Sequence, residues 1–71
     1  MYERLDRAIA GVIAIRSAKG NYPNLTDLYW TVHYELDKFS AHEVTLRKRL
    51  QHLRKEGVIE HVVGKGWRIK Y

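Results

Sequence analysis

Three stretches of the chain repeat apolar residues every three to four positions, and a last stretch alternates them at every second position. In YERLDRAIAGVIAIRSA, the residues Leu5, Ile9, Val12 and Arg16 share one helical stripe, widened by Ala8 and Ile13. Gly11 costs such a helix about 1 kcal/mol relative to alanine and permits close approach by a neighbour. KGNYPN then gathers Gly20, Asn21, Pro23 and Asn24, a loop signal. Helical spacing resumes in NLTDLYWTVHYELDK, where Leu25, Leu28, Val32 and Leu36 form the stripe and Asn24 or Thr26 is placed to cap the start. Trp30 and Tyr34 fall away from that stripe, so this helix is apolar nearly all round. Packing between two other helices is the expected reason, and contact with a partner subunit through Trp30 and Tyr34 is the alternative.

The third stretch, SAHEVTLRKRLQHLRKEG, opens with Ser40 and Glu43 at capping-box spacing. Leu46, Leu50 and Leu53 are its buried stripe, and Gly57 supplies the left-handed residue that commonly ends a helix. Arg54 and Lys55 occupy the last turn, where the helix dipole favours cations. A connection of about four residues joins this helix to the one before, so the two must cross. Beyond it, Val58, Ile59, Val62 and Val63 are β-branched, and Trp67, Ile69 and Tyr71 alternate with Arg68 and Lys70. This predicts two strands turning through Gly64-Lys65-Gly66. An isolated hairpin is marginal in water, so Trp67, Ile69 and Tyr71 are expected to face the helices and Arg68 and Lys70 the solvent. The predicted class is α+β, a three-helix bundle with a C-terminal β-hairpin, forming a single domain over residues 1–71.

Composition narrows the functional classes. A chain of 71 residues is near the lower limit for a single core and has no room for a second domain or a catalytic cleft with supporting shells. Without cysteine there is neither a disulfide framework nor a thiolate metal site. The longest uncharged apolar run, AIAGVIAI, is far too short to span a bilayer, so no membrane partner is expected and a cytoplasmic, nucleoid-associated location is. The net charge of +5 is unevenly placed. Residues 1–40 balance five basic against five acidic side chains, whereas residues 41–71 carry eight basic against three acidic. A one-sided basic half is the usual footprint of a polyanion, although a basic surface also serves solubility alone.

The order helix, loop, helix, tight turn, helix, hairpin resembles a winged helix-turn-helix domain. The strongest local likeness lies in VTLRKRLQHLRKEGVIEHVVGKGWRIKY, at Thr45, Leu46, Leu50, Leu53, Gly57, Val58 and Ile59. Most of these are core or turn positions, which speak for fold rather than function. By size, the chain looks like the small regulators encoded by phages, archaeal viruses, plasmids and other mobile elements. The resemblance implies that the third helix (about 41–56) enters the major groove of double-stranded DNA. The wing (about 58–71) would follow the backbone or the minor groove.

The residues themselves can be asked whether they suit that role. With Leu46 set at 0°, Ala41, Thr45, Lys48 and His52 cluster at about 200–260°, flanked by Val44 and Arg49. Small residues allow close approach, Thr45 can bond base edges, and Arg47 and Arg49 spread towards phosphates. His42 stands at the helix start. Val44 is apolar on a face that should be wet; it either meets a thymine methyl or is buried by a slightly rotated helix. On the wing the candidates are Lys65, Arg68 and Lys70.

Catalysis finds little support, and no catalytic residue, cofactor or metal site is expected. The four histidines, His33, His42, His52 and His61, are dispersed without zinc-site spacing or an evident carboxylate partner. Gly64-Lys65-Gly66 lacks the following Ser/Thr and the helix of a P-loop. The expectation is therefore a sequence-specific DNA-binding transcriptional regulator. A single module this small buries little DNA surface, which favours a homodimer or cooperative neighbours. The alternative is a winged helix that binds a host or partner protein, such as a polymerase or nuclease.

Overall fold

The computed structural model describes residues 2–70 as an α+β domain of four helices followed by a two-stranded antiparallel hairpin. The helices are α1 (Glu3–Ala18), α2 (Leu25–Thr31), α3 (His33–Leu36) and α4 (His42–Lys55); the strands are β1 (Ile59–Val62) and β2 (Gly66–Ile69).

The predicted second helix is thus two helices, broken at Val32. The cause lies one residue earlier. The Thr31 hydroxyl donates to the Asp27 carbonyl at 2.6 Å, a side-chain bond that competes with the helical ladder and bends it. Val32 itself leaves helical geometry at φ −104°, ψ 16°. The break keeps the inward stripe intact, since Leu28, Val32 and Leu36 are all fully buried.

Helix starts also differ from expectation. The capping box forms at Asn24, whose side chain accepts from the Asp27 N–H at 2.9 Å while the Asp27 carboxylate accepts from the Asn24 N–H. Ser40 forms none: α4 starts one residue later, with Ala41 at the N-cap and no side-chain cap. Glu43 instead reaches along the helix and accepts from Arg47 at 3.1 Å. The end of α4 follows expectation, with the Val58 N–H donating to the Leu53 carbonyl and the Gly57 N–H to that of Arg54 around a positive-φ Gly57.

Leu5, Ile9 and Ile13 of α1 meet Leu28, Val32 and Leu36, the three leucines of α4, Ile59 and Trp67 in one core. The hairpin pairs Ile59 with Ile69, Glu60 with Arg68, His61 with Trp67 and Val62 with Gly66. Its turn is Val63-Gly64-Lys65, so Gly66 belongs to the strand rather than to the tip. Alternation divides β2 as predicted: Trp67 is buried, Ile69 packs on the core, and Arg68 and Lys70 are exposed. Tyr71 lies outside the described residues. The Trp67 N–H donates to the Pro23 carbonyl at 2.9 Å, which ties the hairpin to the loop between α1 and α2.

Candidate nucleic-acid interface

Helix α4 has a dry face and a wet face. Leu46, Leu50 and Leu53 fix the first, and the second carries Ala41, Val44, Lys48 and His52, all exposed, with Thr45 half-buried beside them. Val44 is 52% exposed, so the helix is not rotated to bury it. Arg47, Lys48, Gln51, His52 and Lys55 line one shallow groove along the outer face. A second groove continues from Arg47 and Gln51 to His61 and Trp67, joining the helix surface to the hairpin. The result is one surface running from α4 onto the hairpin, with Lys65 at the tip near the face of Tyr22.

The arginines of this region divide by partner. Arg49 donates from Nε and a terminal nitrogen to both Asp6 oxygens, at 2.8 and 2.6 Å, and its guanidinium stands 4.5 Å from the centre of the Tyr2 ring. Its fork is spent on joining α4 to α1. The expectation that Arg49 flanks the groove as a phosphate ligand is therefore corrected: in this fold it is a structural residue. Arg68 pairs across the hairpin with Glu60, its register partner, and Arg47 pairs with Glu43 on open helix surface. The hydrogen bond to Asp6 raises the pKa of Arg49, and those to Glu60 and Tyr22 raise that of Arg68. Both are already cationic far above neutrality, so neither pair opens by losing its arginine proton. Lys48, Lys55, Lys65 and Lys70 pair with no carboxylate among the described residues.

The Asp6–Arg49 pair is mostly buried and doubly hydrogen-bonded, which separates it from ordinary surface pairs. Asp6→Ala should cost about 1–2 kcal/mol once residual exposure is discounted. Urea denaturation followed by circular dichroism measures this; an unchanged midpoint would reduce the pair to surface decoration.

Trp30 and Tyr34 are 68% and 66% exposed, so the expectation that they pack between helices is overturned. The kinked α2–α3 unit buries only its leucine and valine stripe and turns both aromatics outward. His42 is the other departure. Among the predicted groove residues it is half-buried and faces α2 and α3, where its ring meets those of Tyr29 and His33. Asp37 lies 3.5 Å from His33 Nδ1 and 3.8 Å from His42 Nε2. The expectation of dispersed histidines without a carboxylate is corrected accordingly, since two of the four share Asp37. The sequence signal was the i, i+4 spacing of His33 and Asp37, followed by a turn short enough to return His42 to them.

No helix of the described residues is long and apolar enough to cross a membrane. No known protein family, characterised protein or solved structure matches the chain.

Proposed function

We propose that this protein is a winged helix-turn-helix regulator that binds double-stranded DNA, with α4 in the major groove and the hairpin as its wing. The observation that carries the reading is the continuous surface from the outer face of α4 to the hairpin. Its lysines pair with no carboxylate among the described residues, whereas the arginine that faces inward is consumed by the fold. Lys48 stands at the middle of the helix face beside Ala41, Val44 and Thr45, residues small enough to let the backbone approach base edges. Lys65, at the hairpin tip, extends the same charge towards the neighbouring phosphates.

The test is selection from a random duplex library with wild type and Lys48→Glu. Wild type should enrich a motif, and Lys48→Glu, which reverses one exposed charge, should weaken binding at least about tenfold, since a lost base-edge contact costs roughly 1–3 kcal/mol. No enriched motif, with duplex binding indifferent to Lys48→Glu, overturns the proposal.

A second reading rests on the exposed Trp30 and Tyr34. Large aromatics on a small domain's surface are characteristic of protein interfaces, and they lie on α2 and α3 rather than on the proposed DNA face. Under the DNA reading they are where a second copy docks. Under the alternative they receive a host or partner protein such as a polymerase or nuclease. A stoichiometric protein captured after nuclease treatment, without duplex selection, decides for the alternative.

A further inference from the structure

Helix α3, its C-cap residue and the first residue of α4 place two imidazoles and a carboxylate around one point. His33 and Asp37 are four residues apart, on one side of the short α3 turn, and the connection through residues 38–41 brings His42 back against them. One donor atom from each of the three lies within 4.8 Å of the others. Two of the separations are 3.5 and 3.8 Å, measured from Asp37 Oδ1 to His33 Nδ1 and to His42 Nε2. Around a tetrahedral ion with bonds of about 2.0–2.1 Å, donor atoms stand roughly 3.3 Å apart. Closing the site therefore needs side-chain adjustments of a few tenths of an ångström at two edges and about 1.5 Å at most at the third. Asp37 is exposed and the two histidines half-buried, so these side chains have room to move without disturbing the core.

We propose that His33, Asp37 and His42 bind a divalent transition-metal ion of the zinc class. The donor set selects the class: imidazole nitrogen suits zinc, nickel, cobalt and copper, while magnesium and calcium prefer all-oxygen shells. Three protein donors leave a coordination position for water, as in zinc sites that are not closed by a fourth protein ligand. Its surroundings hold the first shell. His33 is stacked on Trp30 at 5.6 Å between ring centres and touches Tyr29 edge-on at 5.4 Å, which limits the orientations of its imidazole. The site spans the turn that leads into α4, so a bound ion cross-links α3 to the start of that helix. This inference is independent of the DNA reading and stands or falls without it.

The experiment is a calorimetric titration of Zn2+ into untagged, chelator-treated protein at about pH 7.5, where an ordinary imidazole is neutral and able to ligate. One ion per chain is expected, with a raised thermal midpoint in its presence. Asp37→Asn and His42→Ala should each weaken binding at least about tenfold. His52→Ala and His61→Ala, outside the cluster, should leave it unchanged. Circular dichroism checks that each variant folds, and the nearly isosteric Asp37→Asn preserves the test if His42→Ala does not. Cu2+, used as a quencher, should reduce the emission of Trp30, and Trp30→Phe should remove the quenched component. Absence of binding at about 100 μM Zn2+ overturns the proposal. So does binding that survives both Asp37→Asn and His42→Ala, or that is lost in His52→Ala.

Discussion

Gly66→Ala should destabilise the domain by roughly 2–5 kcal/mol, the combined scale of backbone strain and overpacking at a single position. A Cβ at residue 66 would stand 2.5 Å from the Pro23 carbonyl oxygen, 2.7 Å from that of Tyr22 and 2.9 Å from the Pro23 carbonyl carbon. All three are main-chain atoms, so no side chain can swing aside. Gly66 also holds φ at 142°, a conformation side-chain-bearing residues rarely adopt. A domain of this size has only about 4–10 kcal/mol of stability in total, so the loss is a large share of it. Gly64 is the matched control. Its φ of 79° is also positive, but a Cβ there would meet nothing within 4 Å. Gly64→Ala should therefore cost only about 1–2 kcal/mol. Urea denaturation of both variants measures the difference. Equal losses would mean that close approach to the α1–α2 loop is not what seats the hairpin. The consequence reaches the candidate site, because the Trp67–Pro23 hydrogen bond beside Gly66 sets where the Lys65 tip is carried.

Periodicity made most of the fold legible. The stripes of α1, α2–α3 and α4 supply nine of the core residues directly, and the two-residue alternation of β2 separates Trp67 and Ile69 from Arg68 and Lys70. Local competition between hydrogen bonds was less legible. Asn24 with Asp27 and Ser40 with Glu43 offer the same capping chemistry at the same spacing, yet only the first pair is used. The break at Val32 arises in the same way, because Thr31 bonds back to Asp27 rather than to solvent.

Side-chain destinations across long sequence separations were not legible at all. The helical wheel of LRKRLQHL places Arg49 nearer the buried stripe than Lys48, but only Asp6, forty-three residues earlier, decides that Arg49 is held there. His42 is a groove residue by position but turns towards His33 and Asp37 because the connection into α4 is tight. Trp30 and Tyr34 mislead in the opposite sense. Large aromatics are usually buried, and here the core is filled without them, which leaves them on the surface.

The same division of partners sets the salt dependence of the proposed DNA complex. Neutralising Z phosphates gives a slope of log K against log salt of about −0.9Z. If Arg47, Arg49 and Arg68 keep their carboxylates, five of the eight basic side chains of residues 41–71 remain to neutralise phosphate: Lys48, Arg54, Lys55, Lys65 and Lys70. The slope should then be about −4.5, and affinity should fall roughly 500-fold between 50 and 200 mM salt. Counting all eight as ligands predicts a slope of about −7.2 and a fall of roughly 10⁴-fold. Fluorescence anisotropy with a labelled duplex across that salt range separates the two. Glu60→Gln provides an internal check, because it weakens the hold on an exposed Arg68 and should steepen the slope by about 0.9. Asp6→Asn should not steepen it in the same way, since Arg49 stays enclosed between α1, Tyr2 and α4. A wild-type slope near −7.2 would mean that DNA takes the arginines from their carboxylates. A slope near zero would leave the lysines of α4 and the wing without a phosphate partner, and would turn the argument to Trp30 and Tyr34.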